Sequence, residues 1–428
     1  MNNNIQKYPA YKPSGAEWMG EIPEHWEARK LKHIFIEKKK TTNPELSCGS
    51  ISFGKVVTKD DEKIPLATKA SYQEVLNGDF LINPLNLNYD LISLRIALSE
   101  INVVVSSGYI VINNQIEINK TYYKWLLHRY DVAYMKLLGS GVRQTINFNH
   151  IADSILAFPT LPEQAAIASF LDSKTTQIDQ AITQKERMIE LLKERRQILI
   201  HNAVTRGINP NVKMKDSGVE WIGEIPEHCE VYKMTHIVSL LVDGTHFSPK
   251  SYSEGQFKYI TAKNIKEWGF DFSELTYINE KDHRTIYTRC PVKKGDILYI
   301  KDGATAGIAM ISELNEEFSL LSSVALIRAN ENLIESEYLK HYLNSELIKR
   351  FILTQIVGGA ITRLTLELIG RFKIIVPTIA DQIAISVYCE NISCKIAIAI
   401  SLKEKEIEKL KEYKATLINS AVTGKIKV

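Results

Sequence analysis

The most constraining feature of this chain is that it says the same thing twice. Ser14-Gly-Ala-Glu-Trp-Met-Gly-Glu-Ile-Pro-Glu-His-Trp-Glu27 returns as Ser217-Gly-Val-Glu-Trp-Ile-Gly-Glu-Ile-Pro-Glu-His-Cys-Glu230, with 11 of 14 positions identical at an offset of 203. At an offset of 218, Pro159-Thr-Leu-Pro-Glu-Gln164 matches Pro377-Thr-Ile-Ala-Asp-Gln382, and Ala203-Val-Thr205 matches Ala421-Val-Thr423. The chain is two copies of one unit of about two hundred residues, and a repeat must be recognised before any other reading of a fold is attempted. The offsets differ by 15, and Gly78-Asp79 matches Gly295-Asp296 at 217, so the second copy carries its extra residues upstream of that pair. The ends of the unit agree while the middle has diverged, the pattern of one structural task performed on two different targets.

Each copy divides again. Its first part contains short β-branched runs, Asn102–Ser106, Tyr109–Ile112, Ile297–Ile300 and Arg371–Val376, punctuated by Gly, Asn and Asp. This predicts short strands of a mixed α+β domain, with helical stretches at Tyr122–Leu138 and Ser336–Leu353. The second part predicts one long helix. Thr160-Leu-Pro-Glu163 and Thr378-Ile-Ala-Asp381 fit a capping box, Pro162 is tolerated in a first turn, and no Gly or Pro interrupts as far as Ala203 or Ala421. Leu171, Ile178, Ile182, Ile189, Leu192 and Leu199 keep a heptad spacing, and Cys389, Ile396, Ile400, Ile407, Leu410 and Leu417 keep the same register 218 residues later. Such a seam needs a partner helix. The nearest partner is the other copy, packed antiparallel; docking on the helix's own domain, or pairing between two chains, are the other readings. About 40 residues at 1.5 Å each give a rod of ~60 Å.

Composition bounds the function more by exclusion. The 428 residues are 45% hydrophobic and 24% charged with a net charge of +3, an ordinary globular balance that neither requires nor excludes a nucleic-acid partner. Five cysteines, Cys48, Cys229, Cys290, Cys389 and Cys394, contain no Cys-x-x-Cys pair, which predicts reduced thiols and no zinc module. No stretch is expected to span a membrane and the N-terminus has no signal-peptide core, so a cytoplasmic protein is expected. There is no Walker A motif, no Gly-x-Gly-x-x-Gly after a strand and no His-Glu-x-x-His. Asn83-Pro-Leu-Asn86 is a faint form of the Asn-Pro-Pro-aromatic motif of amino-methyltransferases, without its second proline and aromatic residue. His25 and His228 sit in the duplicated leader and read as packing residues. The expected catalytic and metal-ligating sets are both empty, which points to binding or scaffolding.

The duplicated Ser-Gly-x-Glu-Trp-x-Gly-Glu-Ile-Pro-Glu-His leaders, the two Pro-x-x-x-Glu/Asp-Gln helix starts, Gly295-Asp-Ile-Leu298 and Asp243-Gly-Thr-His246 make the whole chain resemble the specificity subunit of a type I restriction-modification system. The resemblance implies an α+β fold of two tandem target-recognition domains, 1–159 and 208–376. Two spacer helices, 160–207 and 377–428, would separate and join them as an antiparallel coiled coil with pseudo-two-fold symmetry. It implies double-stranded DNA as ligand, read as a bipartite asymmetric site. It implies two methyltransferase subunits and restriction/translocation subunits as partners, with S-adenosylmethionine, ATP and Mg2+ on those partners and no cofactor on this chain. A stand-alone DNA-binding scaffold or a protein-binding adaptor is the alternative. Donor-bearing loops are the expected readers of bases and phosphates. In the first domain these are Ser52, Lys55, Asn83, Asn86, Asn88, Ser106, Ser107, Tyr109, Arg143 and Gln144. In the second they are Thr245, His246, Lys250, Lys263, Asn264, Lys301, Thr305 and Arg363.

Overall fold

The computed structural model describes residues 6–85, 94–137, 145–355 and 363–428; Asn86, Asn88, Arg143 and Gln144 lie outside the described residues. The two long helices are present, Leu161–Arg206 with 46 residues and Ile379–Val422 with 44. Two compact units emerge, Met1–Lys185 with Lys405–Val428, and Glu186–Glu404. Their limits fall within the helices, whereas 159/160, 207/208 and 376/377 follow changes of secondary structure. The reason lies in the helix ends. Leu417, Ala421 and Val422, from the end of the second helix, are buried in the first unit's core beside Trp26, Tyr122, Leu171 and Ile178. Ile200, Ala203 and Val204, from the end of the first helix, are buried in the second unit's core beside Tyr338, Ile385 and Cys389. Tyr122 Oη donates to the Val422 carbonyl (3.1 Å) and Tyr338 Oη to the Val204 carbonyl (3.2 Å). The repeated Ala-Val-Thr triplets are therefore the plugs by which each helix ends in a globular core.

In the first unit the helix segments run antiparallel, because Asp179 meets Lys414 (2.6 Å) and Lys185 meets Glu406. Lys185 and Lys414, polar positions within the seam, are thus ion-paired, while the buried Thr175 hydroxyl donates to the Leu171 carbonyl (2.7 Å) of its own helix. Leu171, Ile178, Ile189, Cys389, Ile396, Ile407 and Leu417 are buried, while Ile182, Leu192, Leu199, Ile400 and Leu410 are half-buried, so every predicted seam position is turned from solvent. The expectation about membrane spans requires correction at one helix. Ile379–Val422 is long and apolar enough to cross a membrane by length and composition, with an 18-residue window of mean hydropathy 1.5; its seam is turned from solvent, while apolar Ile383, Val387, Ile398 and Leu402 outside the seam are exposed.

Each unit is organised around a four-stranded antiparallel sheet. In the first the spatial order is Phe35–Glu37, Ile110–Asn114, Phe80–Ile82, Ile96–Leu98; in the second it is Val238–Asp243, Val324–Ala329, Ile297–Ile300, Ala309–Ile311. Both faces are buried, which is why the strands read as unbroken apolar runs. Phe80, Ile82, Ile110 and Ile112 face a core shared with the long helices, while Leu81 and Val111 face a smaller outer core. Ile297, Tyr299, Ala325 and Ile327 repeat the inner pattern, and Leu298, Ile300, Val324 and Leu326 the outer one. The inner layer is the common frame. The outer layer carries the divergence: the second unit adds strands Ser251–Tyr252 and Thr276–Ile278 and the helix Glu280–Arg289, all upstream of Gly295 as the offsets required. The stretch expected as one helix, Ser336–Leu353, breaks into Ser336–Leu343 and Glu346–Gln355. Asn344 at the break exchanges two hydrogen bonds with the Ala309 backbone (2.9 and 2.8 Å), tying the helix to the sheet edge.

The helix starts explain their motif. Thr160 Oγ1 and its backbone N–H donate to Glu163 (2.8 and 3.2 Å), and Thr378 Oγ1 donates to Asp381 (2.7 Å). Fully buried Gln164 donates to the Pro159 carbonyl (2.9 Å) and accepts from the Asn119 N–H (2.8 Å); Gln382 does the same with Pro377 (2.9 Å) and Glu335 (2.8 Å). His25 and His228 pair with Glu163 (2.8 Å) and Asp381 (3.3 Å), clamping each leader to its helix start. All five cysteines are free, four of them buried and Cys394 exposed.

Candidate nucleic-acid interface

The antiparallel order of each sheet brings particular loops together. In the second unit the strands Val238–Asp243 and Ile297–Ile300 end at the edge where Ala309–Ile311 and Val324–Ala329 begin. The loops starting at Asp243 and Lys301 therefore emerge side by side. The Thr245 N–H donates to the Leu320 carbonyl (2.8 Å), the Lys301 N–H to the Ser323 carbonyl (2.9 Å) and the Leu364 N–H to the Lys301 carbonyl (2.7 Å). Lys263, Lys266, Glu274, Asp302, Gly303 and Thr305 line one open cleft of about 440 Å³ here.

Asp243 is the electrostatic centre of this edge. Its buried carboxylate meets Arg289 (2.9 Å), Lys301 (3.3 Å) and His246 (3.2 Å), and Arg289 also donates to the Asp243 carbonyl (2.9 Å). Gly244 is required beside it, because a Cβ would lie 2.0 Å from the Leu320 carbonyl oxygen. The Asp-Gly-Thr-His element is thus a backbone crossing with a charged anchor.

Three of the residues expected to read DNA are buried and bonded within the unit. Lys301 is 3% exposed and its ammonium is consumed by Asp243 and Asp302. Asn264 is buried, accepting from the Thr261 N–H (3.0 Å) and donating to the Asp271 carbonyl (3.1 Å) to close a turn. Thr245 is buried and accepts from the Phe247 N–H (3.1 Å). Asn, Thr and Lys occur where a turn must be closed or a carboxylate neutralised as readily as where a base is read. His246, Lys250, Lys263, Thr305 and Arg363 are exposed, with Lys263 near Glu274 (3.0 Å), Lys250 over the Tyr252 ring (5.4 Å) and Arg363 near Asp302 (3.5 Å). Arg289, half-exposed at the anchor, was not signalled by the sequence; only its place as the basic last residue of a short helix hints at it.

The first unit repeats the arrangement. Ile82 pairs with Ile110, so Asn83 and the turn holding Ser106, Ser107 and Tyr109 emerge at the same edge. Asn83 accepts from the Leu85 N–H (3.0 Å), Leu85 bridges Thr145 as Asp302 bridges Arg363, and Lys40 donates to the Ser107 carbonyl (2.8 Å). Ser52 and Lys55 pair across a hairpin whose Gly54 lies over Leu94 and buried His128. Burial, with nearby Lys124, pushes the His128 imidazole down to about 4. Ser106, Ser107 and Lys55 are exposed; Ser52, Asn83 and Tyr109 are half-buried.

A family model described as type I restriction modification DNA specificity domain matches residues 23–191 and again 226–412, once per repeat. The chain belongs to the family of type I restriction-modification specificity subunits. As a specificity subunit it is 25% identical over 277 residues to the MjaVIII specificity subunit of Methanocaldococcus jannaschii, 64% of this chain and 62% of that one, so the match spans under two thirds of that relative. It is 25% identical to the MjaX specificity subunit of the same organism over 96% of both chains. Among solved structures, the HsdS subunit from Thermoanaerobacter tengcongensis has a TM-score of 0.55 at 14% identity, covering 95% of this chain and 98% of that one. A chain from a solved type I restriction-modification system has a TM-score of 0.69, also at 14% identity, covering 94% and 98%. The fold is that of the specificity subunits, and the family's role is DNA recognition rather than catalysis.

Proposed function

We propose that this specificity subunit reads a bipartite, asymmetric double-stranded DNA site, one half with each recognition domain. The observation that carries this reading is that two copies of one inner frame present, at equivalent sheet edges, two unlike sets of loops. Two equal readers would suit a symmetric site; unlike outer layers suit unlike half-sites. The paired helices set the spacer between halves and hold two methyltransferase subunits, which restriction/translocation subunits join. S-adenosylmethionine, ATP and Mg2+ act on those partners, and the assembly works in the cytoplasm, where its DNA is.

Modified-base sequencing of DNA from cells expressing the chain with its methyltransferase partner tests this. The expected result is one interrupted motif with two different halves. A continuous or palindromic motif would overturn the asymmetric reading. Absence of methylation together with the lack of any salt-dependent DNA affinity would favour a protein-binding adaptor instead.

A further inference from the structure

We infer that each recognition domain carries an aromatic wedge, Phe53 in the first and Trp268 in the second, that inserts against a base face when DNA is bound; this rests on the DNA-reading function proposed above. Among the described residues these are the two most exposed aromatic side chains, at 91% and 76%. Each sits in the two-residue turn of a short hairpin, between Ser52 and Lys55 and between Lys266 and Gly269.

The hairpins are equivalent by topology although not by sequence. Cys48 bridges in parallel to Val104, and Tyr259–Ile260 pair in parallel with Ser319–Leu320; in both units the hairpin is the next antiparallel pair along the chain. Where the outer layers have otherwise diverged, an exposed ring at the hairpin tip recurs.

Solubility alone favours polar residues at such tips, and turn geometry argues further against Phe53. It is the one non-glycine with positive φ (46°) among the described residues, in a turn where Asn or Gly is the relaxed choice. The tip is also held. Gly54 lies so close to Leu94 that a Cβ would be 2.7 Å from its Cδ1, and Glu267, beside Trp268, meets Arg196 (3.4 Å). One lysine accompanies each tip: Lys55 is exposed after Gly54, and Lys266, lining the cleft and 3.7 Å from Asp271, precedes Glu267. A held, solvent-facing ring with a lysine beside its tip is the chemistry of a side chain that stacks on bases while its neighbour meets a phosphate.

The test uses the full chain and a duplex carrying the motif found by sequencing. Iodide quenching of tryptophan emission reports on Trp268, since Trp268→Phe removes that exposed component. DNA is expected to shield Trp268 from iodide. Phe53→Ala and Trp268→Ala should each weaken binding on the order of ten-fold, leave the salt dependence unchanged because no charge is lost, and be rescued by Phe53→Trp and Trp268→Phe. If the wild type does not bind the duplex, the DNA-reading function itself fails. If it binds while Trp268 stays open to iodide and both alanine variants bind normally, the wedge is overturned. Shielding by a methyltransferase subunit in the absence of DNA would equally overturn it, in favour of a protein contact.

Discussion

Gln164 and Gln382 show how much a single side chain can settle. Each carboxamide bridges the start of a long helix and the N-cap of a domain helix, Asn119 before Lys120–Ala133 and Glu335 before Ser336–Leu343, which ties the long helix to the domain it leaves. Glu163 beside it is partly buried, which opposes ionisation, but hydrogen bonds from His25, Thr160 and Trp26 hold its carboxyl down to about 2. Glu163→Gln should therefore cost ~2 kcal/mol at neutral pH, a loss that shrinks as pH falls from about 4.5 towards 2, where the unfolded and then the folded carboxyl protonate; urea melts across that range would read it. His128 acts in the opposite chemical sense but the same pH direction. Held neutral by burial, it binds a proton near pH 6.5 only when unfolded, so the first unit should lose stability between pH 6.5 and 4. His128→Gln should flatten that slope in thermal melts. At the other edge, Asp243→Ala strands buried Lys301 without its main counter-charge, and a loss of ~3–5 kcal/mol in the second unit is expected by denaturant melt.

At the scale of elements, the heptad seam and the capping boxes were legible because both depend on spacing within one helix. The break at Asn344 was not, since Asn is a passable helix residue and its role comes from Ala309, 35 positions away. Loop residues were legible only as candidates. Lys263 with Asn264 read as a donor pair, yet only Lys263 faces solvent. Lys263→Ala with Thr305→Ala should lower selectivity for one half-site without loss of folding, whereas Asn264→Ala should loosen its turn and lower the melting temperature. A competition gel shift against scrambled half-sites, beside a thermal melt, separates the two effects. Unchanged selectivity in the double variant would place the reading elsewhere in the outer layer.

At the scale of the whole molecule, the linear order of domain, helix, domain, helix is not the order of packing. The end of each long helix completes the core of a unit made mostly from the other repeat, as Tyr122 with Val422 and Tyr338 with Val204 mark. Removal of residues 405–428 should thus unfold the first unit, which loses buried Leu417, Ala421, Val422 and Ile426, and spare the second. Limited proteolysis with mass mapping would show cleavage concentrated before residue 185; equal protection of both units would refute this regrouping.

The amino-acid sequence alone determined the duplication, the α+β character, the helix starts and the buried seam, because each follows from short-range spacing or from identity between two segments of one chain. It also marked the loops worth suspecting. Only the tertiary structure decided which of those loops meet, since strand order places Asp243, Lys301 and Asn83 at sheet edges that no local pattern encodes. Tertiary structure likewise turned Lys301, Asn264 and Thr245 inward and Phe53 and Trp268 outward. A side chain's chemistry is local, but its exposure is set by what distant segments leave uncovered.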